Sequence, residues 1–209
     1  MPPNSQIVIL GIGNVLWADE GFGVRCAEAL AQRYEFPEHV TILDGGTQGL
    51  YLLPYVQGAS KLLIFDAIDY GLPPGTLHCV EGAEVPRYLG AKKLSLHQTG
   101  FQEVLALAEL TGRYPAHVTL IGCQPEVLDD FGGSLRPKLR AALELALARG
   151  VEQLERWGIC ASTRTNALST DCLAIERYEA ERPSEADACR IGDPRFLQLV
   201  AAAADREDV

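Results

Sequence analysis

Ile7-Val-Ile-Leu-Gly-Ile-Gly-Asn-Val-Leu-Trp-Ala-Asp-Glu-Gly-Phe-Gly-Val-Arg25 is the stretch from which the fold is read. Four apolar residues, three of them β-branched, run into Gly11-Ile12-Gly13-Asn14, the pattern of a buried strand closing in a tight turn. An acidic pair, Asp19-Glu20, then precedes Gly21-Phe22-Gly23 and an apolar-periodic segment with Val24, Ala27 and Leu30 on one helical stripe and Arg25, Glu28 and Gln32 on the other side. A strand, a turn and a helix in that order open an α/β domain. In such a domain, ligands gather where parallel strands end.

The same grammar continues outward. His39–Leu43 is a second strand stopping at Asp44-Gly45-Gly46-Thr47, residues 47–56 suit a short helix limited by Pro54, and Lys61–Asp66 is a third strand, apolar until its terminal carboxylate. Strand and helix alternating twice indicate a parallel sheet with right-handed crossovers. Thr76–Val80 is a shorter strand suited to antiparallel pairing, 82–96 is irregular, and Thr99 with Gln102 forms a capping box for a helix carrying Phe101, Val104, Leu105 and Ala108. His117–Gly122 is the fifth strand. The last helix carries Leu139, Leu143, Ala146 and Leu147, with Gly150 as a break before an end near Trp157. These elements make residues 1–157 one α/β domain. Residues 158–209, rich in Ser, Thr, Glu, Arg and Asp without periodicity, read as a poorly ordered or loosely docked extension.

Bulk properties exclude several classes. With 18 Lys plus Arg against 28 Asp plus Glu, the net charge is −10, which disfavours nucleic acid. No apolar run reaches the roughly 18 to 20 residues of a membrane span, so no membrane insertion is expected. Six cysteines without a C-x-x-C pair suit reduced thiols in the cytoplasm. Gly11-x-Gly13 opens a dinucleotide fingerprint, but Leu16 occupies the third glycine position and Asp44 comes late for the ribose acid.

Chemistry is expected at the carboxyl edge of the sheet. Glu20, Asp44 and Asp66 follow strands one, two and three, so parallel strands bring all three to that edge. Any one of them alone is an ordinary turn former. Of the four histidines, His39 and His117 open strands at the opposite edge and His78 lies within the short strand. His97 alone enters a helix where the chain has returned to the carboxylates. Glu20, Asp66 and His97 form a mixed oxygen and nitrogen set suited to nickel, zinc or a related divalent ion, with positions left for water or substrate.

The motifs Gly11–Arg25, Asp44-Gly45-Gly46-Thr47, Ile64-Phe65-Asp66-Ala67 and Ser95-Leu96-His97-Gln98 together resemble the hydrogenase maturation endopeptidases, most closely the uptake-hydrogenase branch, over residues 6 to about 157. The resemblance implies a three-layer α/β fold, a twisted, mostly parallel five-stranded sheet with helices on both faces. It also implies an endopeptidase that removes the C-terminal peptide of the nickel-iron hydrogenase large-subunit precursor once nickel is inserted. Glu20, Asp66 and His97 match the family's metal ligands, and Asp44 matches its Asp-Gly-Gly aspartate, tied to nickel recognition and cleavage. The nickel is carried by the substrate, with zinc or cadmium as alternative occupants. Glu20, Asp66 and Asp44 are therefore the catalytic candidates, of aspartyl-type or metal-dependent character. Whether the metal acts on the scissile carbonyl or on water stays open. Other hydrogenase maturation factors are further candidate partners. The rival reading is a nickel-sensing chaperone that holds the precursor without cutting it.

Overall fold

A computed structural model describes residues 6–86, 96–128, 130 and 134–165, with residues 96–99 described by their backbone alone. β1 (Ile7–Ile12), β3 (Val40–Gly46), β4 (Lys61–Ala67), β5 (Leu77–Glu81) and β6 (His117–Cys123) form one sheet in the order β3-β1-β4-β6-β5. All pairs are parallel except β5 with β6, which is antiparallel as the sequence predicts. A separate two-residue ribbon pairs β2 (Tyr34–Glu35) with β7 (Ser162–Thr163).

Each central strand is apolar on both faces, as burial on two sides requires. Val8, Leu10, Leu62, Ile64, Val118 and Leu120 face one cluster, filled by Leu52, Val56, Phe101, Val104 and Leu105 from α2 (Leu53–Gly58), the turn before it, and α3 (Leu96–Leu110). Ile7, Ile9, Leu63, Phe65 and Ile121 face the other, filled by Phe22, Cys26, Leu30, Leu139, Ala146 and Leu154 from α1 (Phe22–Arg33) and α4 (Pro137–Arg156). This is the three-layer arrangement expected from the sequence. No helix among the described residues is long and apolar enough to cross a membrane.

Several expectations change in detail. Pro54 does not limit its helix but sits in the first turn of α2, where a missing N–H costs nothing because no carbonyl would receive it. Gly150 does not break α4, which runs unbroken over 20 residues. A Cβ there would meet Phe65 Cζ at 2.7 Å, so the glycine lets the helix close onto the sheet. Arg25, placed by periodicity on the polar side of α1, is buried, because α1 lies over β1 and β4 and is flanked by β3 and α4.

Beyond Trp157 the chain stays docked as far as Arg164. Ile159 is buried, and Ser162–Thr163 pairs with Tyr34–Glu35. The Arg164 guanidinium donates to the carbonyls of Ala31 (3.2 Å) and Tyr34 (3.3 Å). Part of the segment read as an extension thus belongs to the packed unit. The remainder of the extension, residues 166–209, lies outside the described residues.

Candidate active site

The carboxyl edge is assembled by close backbone approach. Gly13 adopts φ +134°, and a Cβ there would lie 1.9 Å from the Glu20 carbonyl oxygen. A Cβ on Gly23 would lie 2.1 Å from the Phe65 carbonyl oxygen. These two glycines let the turn after β1 fold back and press the start of α1 against the end of β4. Between them the chain makes a 3-10 turn, Ala18–Gly21, entered by Trp17 N–H to Asn14 O (3.0 Å) and closed by Glu20 N–H to Trp17 O (2.7 Å). Ala18 holds φ +27°, a conformation that costs a residue with a Cβ about 1 kcal/mol or more.

Two of the predicted site residues lie in this region, Glu20 on the 3-10 turn and Asp66 on β4. Glu20 is 8% exposed and Asp66 0%, and the 3-10 turn packs against β4. Asp66 shares strand parity with Leu62 and Ile64, so it faces the layer that contains α3. The backbone of His97 falls in the first turn of α3, which begins at Leu96, slightly earlier than the capping box suggests. A Cβ on Gly100 would lie 3.5 Å from the Gly49 Cα, which seats that helix end beside the turn following Asp44. The His97 side chain is outside the described residues, and among those described no three His, Cys, Asp or Glu groups form a metal cluster.

Asp44 lies farther along the edge. β1 separates β3 from β4, so Asp44 sits two strands, about 10 Å, from Asp66. Although the residue is exposed, crowding around its carboxyl pushes the pKa up, an effect opposed by the Gly46 N–H. The Asp44 carbonyl accepts from Gln48 Nε2 at 3.1 Å.

Other residues at this edge were not legible as site residues. Fully buried Asp19 accepts from the main-chain N–H groups of Glu126 (2.9 Å), Val127 (3.3 Å) and Arg136 (2.9 Å). Burial raises its pKa and these three donors hold the rise back. Gln124 is a buried latch on the loop after Asp66. Its carbonyl accepts from the N–H groups of Tyr70 (2.7 Å) and Leu72 (3.1 Å), and its amide donates to Asp69 (3.0 Å) and Pro125 (3.1 Å). Antiparallel β5 brings His78 level with Gly122 and Asp66, with the Tyr70 ring filling the space over Gly122 and meeting His78 edge-on at 5.2 Å.

The described thiols are poor nucleophiles where they approach this edge. Burial, with the Asp19 charge adding to it, pushes Cys123 up to about 12, and buried Cys26 is likewise raised. Cys26, Cys79, Cys123 and Cys160 are free thiols, as the sequence suggests.

Glu28 on α1 is half-buried, with Oε2 enclosed and lacking a hydrogen-bond partner among the described residues. Burial raises its pKa from 4.5 to about 7, the Asp44 charge adds to the rise, and Arg25 opposes it. Between those two values the folded chain holds a proton that the unfolded chain has released. Folding is therefore favoured below the window and loses that stability as pH rises through it. Glu28→Gln is expected to gain roughly 2 kcal/mol relative to the parent between about pH 5 and pH 8. Urea midpoints of both chains at the two pH values measure it, and parallel pH profiles would count against it.

The described geometry thus has two buried acidic residues on adjoining elements at the edge of an α/β sheet, a third two strands away on β3, and the start of α3 on the same side. Residues 24–153 match the family model described as hydrogenase maturation protease. The chain is 63% identical over 198 residues to the hydrogenase expression/formation protein HoxM of Cupriavidus necator, covering 92% of this chain and 98% of the relative. The chain belongs to the hydrogenase maturation protease family.

Solved structures agree. The hydrogenase maturating endopeptidase HybD from Escherichia coli superposes with a TM-score of 0.72 at 40% identity, covering 77% of this chain and 98% of that one. The [NiFe] hydrogenase maturation protease HybD from Thermococcus kodakarensis does so at 0.56 and 27%, covering 71% and 98%. This protease is accordingly an endopeptidase of hydrogenase maturation on the five-stranded α/β fold. The matched family segment contains Asp44, Asp66 and His97 but begins after Glu20.

Proposed function

We propose that this protease removes the C-terminal peptide from the large-subunit precursor of a nickel-iron hydrogenase, and that it reads the nickel carried by that precursor. The observation supporting the proposal is the burial of two acidic residues, Glu20 and Asp66, on adjoining elements at the sheet edge of a hydrogenase maturation protease. Two carboxylates withdrawn from bulk water at one edge suit a divalent cation presented by the substrate, since oxygen donors and negative charge are what such an ion takes.

In this reading Glu20, Asp66 and His97 receive the substrate's nickel, a donor set of two oxygens and one nitrogen that suits it. None of the three alone distinguishes a loaded precursor from an empty one. The shared ion does, because it bridges enzyme and substrate only after insertion. Nickel held in this way supplies Lewis acidity near the scissile bond. In this reading Asp44, whose raised pKa lets it hold a proton more readily than an ordinary aspartate, serves proton transfer. Leu16 (48% exposed), Leu50 (52%) and Tyr51 (82%) project from the turns next to Glu20 and Asp44, giving a polypeptide substrate apolar surface to lie on.

Incubation with nickel-loaded and nickel-free precursor, followed by intact-mass measurement, tests the function. The expected result is loss of one C-terminal peptide from the loaded form alone. An unchanged mass in both, with the precursor retained in a complex, would replace the protease reading by that of a holding chaperone. Cleavage of both forms would remove the nickel checkpoint.

A further inference from the structure

Asp19 and Glu20 are neighbours in sequence, yet Asp19 serves a different part of the molecule. Its carboxylate takes up main-chain N–H groups 107 to 117 residues away, using Oδ2 for Glu126 and Val127 and Oδ1 for Arg136. The Arg136 guanidinium also lies near it, with Nε 3.9 Å from Oδ2, and pairs through its other arm with the fully buried Asp130. Both ends of this arrangement lie at the site. The segment from Gln124 to Arg136 leaves β6 directly after Gly122 and Cys123, which stand in register with Asp66 and Ala67. One loop is therefore tied to the strand beside Asp66 at its start and to the residue before Glu20 further on.

We propose that Asp19 is a positioning residue of the cleavage reaction, locking the Glu20 turn to the main chain at Glu126, Val127 and Arg136 so that Glu20 and Asp66 keep their places at the sheet edge. The proposal rests on the assignment of those two carboxylates to the active site. The turn cannot hold its shape by local preference alone, since Ala18 sits at φ +27° and the following residues make only a single 3-10 turn. A carboxylate with N–H donors on both oxygens supplies the missing restraint, and such charge-assisted bonds in a dry setting are stronger than neutral ones. An asparagine offers one accepting oxygen, so at least one buried N–H would then face an NH₂ group. The turn would relax, and small displacements of a reacting group cost rate out of proportion to their size.

The test compares Asp19→Asn, Asp130→Asn and Ile159→Ala in the full chain, with kcat and KM on nickel-loaded precursor and thermal midpoints for each. Ile159→Ala loosens the core at the far end of α4 and serves as the control for stability loss alone. Asp19→Asn is expected to lower kcat by roughly 10- to 100-fold, the range seen when residues that orient ligands are lost, with KM nearly unchanged. Asp130→Asn leaves Asp19 and its three donors in place and should lower kcat by a smaller factor, while Ile159→Ala keeps the parental kcat. A parental kcat in Asp19→Asn, or a fall no larger than in Ile159→Ala, overturns the proposal. Should Asp19→Asn fail to fold, a parental kcat in Asp130→Asn overturns it instead. A parent chain that leaves loaded precursor uncut refutes the site assignment and this inference together. An active parent with an unaffected Asp19→Asn refutes the inference alone.

Discussion

Glu20→Gln and Asp66→Asn are each expected to reduce cleavage of the loaded precursor by at least about 100-fold while changing the thermal midpoint little. The two halves of that outcome come from the same physical cause. Asp66 is fully buried and Glu20 nearly so, and an amide of the same shape keeps the packing of each while removing its charge. The fold therefore keeps its contacts, while the charge proposed to receive the substrate's divalent cation is lost. A residue kept for structure would show the opposite correlation, with stability and activity falling together. Retention of kcat within about threefold in either variant would move the chemistry away from that residue.

Gly13→Ala is expected to destabilise the fold by about 3 kcal/mol or more and to cost activity beyond what lost stability explains. The added Cβ would stand 1.9 Å from the Glu20 carbonyl oxygen, backbone that cannot swing aside like a flexible side chain, and φ +134° disfavours any Cβ even without a neighbour. The segment forced to yield is the peptide that presents Glu20. Gly58→Ala provides the contrast. It lies in α2 with nothing within 4 Å of its added Cβ, so a neutral or stabilising change of up to about 1 kcal/mol is expected. Urea midpoints for the two variants, with cleavage rates measured where both are folded, separate the effects. Similar midpoints for both would mean that the turn has room the geometry denies it.

The layered sheet could be read from the chain because its signals are local. Apolar runs ending in Asp44 and Asp66, and helical stripes such as Phe101, Val104 and Leu105, need only their own neighbours to be recognised. The placement of Glu20 and Asp66 at one edge followed from parallel connectivity. What the sequence keeps hidden depends on distant partners. Asp19 looks like the spare half of an acidic pair until Glu126, Val127 and Arg136 are seen to close around it, and the donors are main-chain groups that no residue pattern encodes. Gly150 reads as a helix breaker because its reason for being small is Phe65, on a strand far away in sequence. Glu28 reads as a solvated helix residue because its neighbour Asp44 belongs to another element. The β2–β7 ribbon, two residues a side, is too short to carry an alternating pattern.

The Arg164 clasp sets a direction on the molecule. α1 starts at the edge with Glu20 and ends, 12 residues or about 18 Å on, at the amino ends of the strands, where Tyr34–Glu35 receives Ser162–Thr163 and Arg164. α4 ends at the same place, its Trp157 carbonyl accepting from Lys61 Nζ at the first residue of β4 (2.8 Å). The backbone at Thr165 therefore leaves from the pole opposite the carboxylates. A surface that gripped the Arg164 clasp would hold the enzyme by its base, with the carboxylate edge turned outward.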